Sequence, residues 1–195
     1  MFLQRDNLND AIKAISEASI IGIPTETVYG LGVDPYSEQA VKNLFSIKER
    51  DNSKPVSLLV PSYTYIHKLN IITDIPEVVD LYWPGPLTIV VETREEFADG
   101  IGTKSPNSIG IRVPDNELTL ELLKKTGPLA VTSANLTGQK EAKDHQQAEE
   151  IFKDGVKHYI EGEAVHGDGS TVVDLRVQGG AILREGPLKW PPSYC

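Results

Sequence analysis

Apolar residues recur along the chain at two spacings, and the alternation between them predicts an α/β fold. Ala11, Ile12, Ile15 and Ala18 stand three or four positions apart, which predicts a helix from Asp10 to Ala18 with Asn9 as its N-cap. Ala40, Val41, Leu44, Phe45 and Ile47 repeat the pattern between Ser37 and Glu49. Glu117 to Lys125 and Asp144 to Lys153 read as two more helices, the latter opened by Asp144 with Gln147 close to a capping box. Shorter apolar, β-branched runs predict strands at Ile20 to Ile23, Val56 to Val60, Leu87 to Val91, Ser108 to Val113, Leu129 to Thr132, Thr171 to Leu175 and Ala181 to Arg184. Intermixed elements of both kinds imply a single α/β domain over residues 1–195, a twisted mixed sheet with flanking helices. The core is expected at about residues 7–187, and 188–195 read as a loose tail.

Composition narrows the class. Apolar content of 39% and charged content of 24% suit a soluble globular protein, and no apolar run reaches membrane-spanning length. Met1 to Asn9 lacks the basic and apolar regions of a secretory signal, so a cytoplasmic location is expected. In that setting Asn135-Leu136-Thr137 is a chance match to a glycosylation acceptor. The single cysteine, Cys195, excludes an intrachain disulfide and a thiolate metal cluster. A net charge of −9 argues against a surface that attracts nucleic acid everywhere, while a local basic cleft stays open.

Several chemistries are excluded by their missing motifs. The chain has no phosphate-binding G-x-x-x-x-G-K-[ST] loop, Gly102-Thr103-Lys104-Ser105 imitating only its tail, no G-x-G-x-x-G opening a helix and no H-E-x-x-H. His67, His145, His158 and His166 show no metal-ligand spacing. What remains is a strand that runs into Pro24-Thr25-Glu26-Thr27-Val28-Tyr29-Gly30-Leu31-Gly32. There Pro24 stops the ladder and the glycines allow close backbone approach. Lys48 and Arg50 fall at a helix C-terminus, pointing into the following loop with Lys54; they form either a solvated charged turn or an anion site. Arg112 and Arg184 lie on apolar strands, where a charge needs a partner or a ligand. Cations converging on one cleft would suit a triphosphate. Ser133-Ala134-Asn135 reads either as a turn with a helix cap or as a phosphate or adenosine contact, and Trp83 to Leu87 as a structural turn.

Taken in order, Pro24 to Gly32, Lys48-Glu49-Arg50 with Lys54-Pro55, Trp83 to Thr88, Ser108 to Pro114, Pro128 to Asn135, Ser170 to Asp174 and Ile182 to Gly186 resemble the YrdC-like threonylcarbamoyl-AMP synthases. The resemblance implies a sheet wrapped around a concave basic cleft, as in the short single-domain members. It also implies a nucleotidyltransferase that condenses L-threonine, bicarbonate and ATP to threonylcarbamoyl-AMP and pyrophosphate. That product would serve a downstream tRNA threonylcarbamoyl transferase. Carried over residue by residue, the resemblance makes Lys48, Arg50, Ser133 and Asn135 the catalytic signature. It assigns Arg50, Lys54, Ser108, Ser133 and Arg184 to ATP, and Thr27, Arg112, Ser170 and the main chain of Val131 to threonine. Magnesium would arrive with ATP, without a dedicated metal site. The polar segment Glu49 to Lys54, lacking apolar anchors, is expected to close over the cleft and exclude water. The chain departs from many relatives at Glu49 and Asp51 beside the cations, and at Leu59, Asn116 and Glu141. Two rivals stand beside this reading. One is a non-catalytic module holding double-stranded RNA or a ribosomal precursor, disfavoured by the net charge; any RNA binding by the synthase itself is expected to be weak. The other is carbamoyl transfer from carbamoyl phosphate, whose accompanying zinc-finger cysteines are absent.

Overall fold

The computed structural model describes residues 2–49, 55–104 and 106–190, with side chains from residue 7 onward. Its helices are α1 (Phe2–Ser16), α2 (Glu38–Ile47), α3 (Glu117–Thr126) and α4 (His145–Phe152). Its strands are β1 (Ile21–Ile23), β2 (Gly30–Val33), β3 (Ser57–Leu59), β4 (Leu87–Glu92), β5 (Thr103–Lys104), β6 (Asn107–Arg112), β7 (Leu129–Ser133), β8 (His158–Tyr159), β9 (Thr171–Asp174) and β10 (Ala181–Arg184). Short 3-10 helices at Tyr63–Lys68, Glu77–Tyr82 and Lys153–Gly155 complete the described elements.

All ten strands join one mixed sheet in the order β10-β9-β4-β6-β3-β7-β2-β1-β8, with β5 added to β6. The pairs β3/β6, β4/β9 and β1/β8 are parallel and the rest antiparallel. Register sets the neighbours of the cleft: Leu59 stands opposite Arg112, Gly30 opposite Ser133, and Leu87 opposite Thr171.

Side-chain alternation gives the sheet two different faces. On one, Leu31, Leu58, Ile89, Ile109, Ile111 and Ala130 bury against Ala40, Val41, Leu44 and Phe45 of α2. On the other, Ile21, Ile23, Leu59 and Leu129 are covered by Leu8, Ala11, Ala14 and Ile15 of α1 and by Leu122 and Leu123 of α3. The polar residues Ser57, Thr88, Ser108 and Arg112 lie outside both apolar clusters. The cleft therefore forms where the helical cover stops. Gly110 on β6 leaves no room for a side chain, since an added Cβ would sit 2.5 Å from Ser57 Oγ.

Local signals explain most helix starts. The Ser37 hydroxyl accepts from Ala40 N at 3.2 Å, Asp144 Oδ1 from Gln147 N at 2.8 Å, and Asn116 Oδ1 from Thr119 N at 3.1 Å. Position 116, a departure from many relatives, is thus a helix cap here. Three expectations are corrected. Helix α1 starts at Phe2, so Asn9 lies within it and caps nothing; the packing of Leu8 under the sheet carries the helix back past that residue. Strands β2, β5 and β8 were not foreseen, β2 because its sequence Gly30-Leu31-Gly32-Val33 is half glycine. The tail is anchored at least to residue 190. Leu188 O accepts from Thr171 Oγ1 at 2.6 Å, and Trp190 is 6% exposed beside Tyr82.

Candidate active site

A cavity of about 210 Å³ opens on the uncovered sheet face. Its walls come from the segment after β1 (Thr25, Thr27), from β3 (Ser57, Leu59), β4 (Thr88), β6 (Arg112), β7 (Val131, Ser133), the loop before β9 (Ser170) and β10 (Arg184).

Arg112 is its most constrained member. Only 6% exposed, it donates from Nε to Gly85 O at 3.1 Å and from Nη1 to Thr27 Oγ1 at 2.7 Å, while Nη2 lies 2.6 Å from Glu26 Oε2. That last approach is out of line for a hydrogen bond, so the N–H groups of Nη2 have no acceptor within the protein. The planar fork is thus held by Gly85 and Thr27 and faces the Glu26 carboxylate with Nη2. Its supports are themselves fixed. Thr25 Oγ1 accepts from Thr27 N at 3.3 Å and Val28 N at 3.2 Å, and donates to Val28 O at 2.6 Å, a hydroxyl-stabilised turn that aims Thr27 inward. Glu26 Oε2 also accepts from Asp115 N at 3.1 Å, which ties the turn to the loop after β6. The Trp83–Leu87 turn, read as structural, contributes more than packing. The Trp83 indole donates to Leu87 O at 2.7 Å, and the turn offers the Gly85 carbonyl to Arg112.

A second arginine faces the same space. Arg184 donates from Nε to Ser170 O at 2.9 Å and from Nη2 to Ser170 Oγ at 3.2 Å, and Ser170 Oγ lies 2.7 Å from Thr88 Oγ1. Burial against the wall pushes the Arg184 pKa down, the nearby Arg112 charge adds to this, and Glu141 opposes both. The group stays a cation at neutral pH.

The other expected residues are placed unevenly. Thr27, Arg112, Val131 and Ser170, assigned to threonine, all line the cavity, as do Ser133 and Arg184 from the ATP set. Lys48 does not. It is the C-cap of α2, 1% exposed, and its ammonium turns inward to donate to Ser133 O, Asn135 O at 2.6 Å and Asn135 Oδ1 at 3.2 Å. It does not point into the following loop, because buried carbonyls at the end of β7 take its protons. Asn135 Oδ1 also accepts from Ser133 Oγ at 2.7 Å, so Lys48, Ser133 and Asn135 of the expected catalytic signature form one hydrogen-bonded knot at the cavity wall. Ser108 lies four residues from Arg112 on the same face of β6, roughly 13 Å along the strand. It contacts Thr103 Oγ1 at 2.7 Å and accepts from Arg176 Nη1 at 3.2 Å. Arg176 also forks onto Asp174 at 2.8 and 2.6 Å, holding that carboxyl below its usual range. Arg50, Asp51 and Lys54, with most of the expected closing segment, lie outside the described residues; Pro55, which follows, lines the cavity.

Glu26 and Thr88 went unassigned in the sequence reading. Glu26 had a signal, a carboxylate between two threonines beside an apolar strand; Thr88, on an ordinary strand, had none. Among the described residues no group of three His, Cys, Asp or Glu side chains could hold a metal ion.

Known proteins resemble this chain in sequence and in fold. The family model Sua5_yciO_yrdC, described as "Telomere recombination", matches residues 13–186. A threonylcarbamoyl-AMP synthase of Pseudomonas aeruginosa is 36% identical over 149 residues, 74% of this chain and 78% of that protein. A crystal structure of Pyrococcus abyssi Sua5 complexed with L-threonine superimposes with a TM-score of 0.77 at 29% identity, over 91% of this chain and 53% of that one. A variant structure of the same archaeal protein, H234A/Y235A in its own numbering, gives a TM-score of 0.85 at 32% identity, over 93% of this chain and 56% of that one. The chain thus spans a little over half the length of the archaeal protein.

Proposed function

The chain belongs to the Sua5/YciO/YrdC family, and from that premise we infer that it is a threonylcarbamoyl-AMP synthase, joining L-threonine, bicarbonate and ATP and releasing pyrophosphate. The observation that carries the reading is Arg112. It is a buried guanidinium fixed by Gly85 and Thr27 and paired with Glu26, in the wall of a cavity of about 210 Å³. That volume is below the ~300 Å³ at which drug-sized pockets begin, and suits one small amino acid.

Threonine enters with its carboxylate toward the Arg112 wall of the cavity and its side chain between Val131 and the hydroxyls of Thr88 and Ser170. ATP lies along the open cleft beyond it, with Ser133 and Arg184 at the junction of the two substrates. The amine gives up a proton and bonds to CO2 derived from bicarbonate. One carbamate oxygen then attacks the α-phosphorus, and the bond to the pyrophosphate oxygen breaks. No side-chain nucleophile is needed; alignment of the two substrates and fixed positive charge at the phosphates carry the rate. Arg184 supplies such charge from a rigid strand, joined in our reading by Arg50 and Lys54. Lys48 acts at one remove, by holding the turn that presents Ser133. Magnesium would arrive on the phosphates, and we assign it no residue of the chain. The reaction belongs in the cytoplasm, where the labile product passes to a tRNA-modifying transferase. The test is pyrophosphate release with each substrate omitted in turn. Release should require threonine and bicarbonate together, and equal release without threonine would refute the reading.

A further inference from the structure

The two arginines of the cavity differ in their electrostatic surroundings. Arg112 is paired with the Glu26 carboxylate at 2.6 Å, both side chains 7% exposed. Among the described residues Arg184 hydrogen-bonds only to neutral groups of Ser170, and the Glu141 carboxylate, which lines the same cavity and acts on its charge, stands beyond ion-pair distance. A carboxylate buried as deeply as Glu26 is destabilising unless a cation neutralises it. Glu26 is also held in place. Its Oε2 accepts from Asp115 N, and its main-chain carbonyl accepts from Val165 N at 3.1 Å and His166 N at 2.9 Å. Its Oε1 is buried and has no hydrogen-bond partner.

We propose that Glu26 is a specificity-determining positioning residue that cancels the charge of Arg112, reserving that arginine for the carboxylate of an amino acid and leaving the phosphates to Arg184. The proposal rests on the synthase reading. A free α-amino acid is a zwitterion, whose carboxylate and ammonium together match a neutral ion pair. A phosphate chain is multiply charged and carries no cation of its own, so beside Arg112 it meets the opposing field of the Glu26 carboxylate. A bare guanidinium at that depth would hold phosphate more tightly than carboxylate, and the two substrates would compete for one site. The carboxylate of Glu26 is therefore the repulsive element that separates them.

Isothermal titration with L-threonine and with inorganic pyrophosphate, without magnesium, tests the assignment. Wild type should bind both independently. Glu26→Gln keeps the size of the side chain and an acceptor for Asp115 N. It should raise pyrophosphate affinity on the order of tenfold, about 1.4 kcal/mol, and make threonine compete with pyrophosphate. A merely structural role would weaken both ligands alike. Arg184→Gln, with Glu26 intact, should lower pyrophosphate affinity on the order of tenfold and leave threonine affinity within about twofold. Even if the Glu26 variant does not fold, this arm tests the division of the two ligands between the arginines, which the assignment requires. The reverse pattern, threonine lost and pyrophosphate kept, overturns the assignment. Wild type that takes up no threonine brings down the synthase reading itself. Wild type that binds threonine, with a Glu26→Gln variant that gains no pyrophosphate affinity, brings down this assignment alone.

Discussion

Replacing Lys48 by methionine separates two roles that a lysine in this position could play, a phosphate contact or an internal clamp. Methionine keeps the length of the stem and removes the ammonium, which donates to Ser133 O, Asn135 O and Asn135 Oδ1. Two of those acceptors keep another donor, since Ser133 O also accepts from Asn135 N and Asn135 Oδ1 from Ser133 Oγ. The Asn135 carbonyl is the group left exposed to loss. Hydrogen bonds from a charged donor contribute about 1.5–3 kcal/mol each, and an orphaned buried carbonyl costs about 1–3 kcal/mol. Removing a buried ammonium returns part of its desolvation penalty, which leaves a net loss of about 3 kcal/mol. For a chain of this size that lowers Tm by roughly 6–12 °C. The turn that presents Ser133 loosens with it, and kcat falls on the order of tenfold or more. Calorimetry and pyrophosphate-release kinetics on one preparation measure both. A variant with wild-type Tm and a raised KM for ATP would refute the clamp and return Lys48 to the phosphates.

Two further outcomes follow from the same contacts. Arg176 holds the Asp174 carboxyl below its ordinary value, so the pair contributes its full stability above about pH 4 and loses it as pH falls through the depressed value. The Tm gap between wild type and Asp174→Asn should therefore be widest near neutral pH and shrink below about pH 4; a gap that widens in acid would show the pair wrongly assigned. In amino-acid choice, L-serine should be used roughly fourfold less efficiently than threonine, the worth of one buried methyl at ~0.8 kcal/mol. Valine, which offers no hydroxyl to the Thr88 and Ser170 pair, should fall clearly below serine. Valine matching serine would remove those hydroxyls from the substrate pocket.

Much of this arrangement was legible in the sequence because it rests on local signals. Helical patterning located α2 to α4, a carboxylate cap marked α4, and apolar runs located seven strands of the sheet. The missed parts depend on tertiary context. Glycine-rich β2 is a strand only because β1 and β7 flank it, and two-residue β5 and β8 carry no pattern of their own. Among site residues, Arg112 and Arg184 stood out as charges on apolar strands. Lys48 gave no sign of turning inward, since a helix-ending lysine reads the same whether water or three buried acceptors receive it. Glu26 was visible as a residue, but its effect on Arg112 depends on two strand ends meeting 86 positions apart in the chain.

In the proposed reaction a carbamate made from threonine and bicarbonate, and not the threonine carboxylate itself, attacks the α-phosphorus. Mass spectrometry of the AMP-linked product formed with ¹³C-bicarbonate tests this most directly. The account predicts an adduct that contains threonine, AMP and the labelled carbon, formed in step with pyrophosphate and absent when bicarbonate is withheld. An unlabelled threonyl-AMP, formed equally well without bicarbonate, would contradict it.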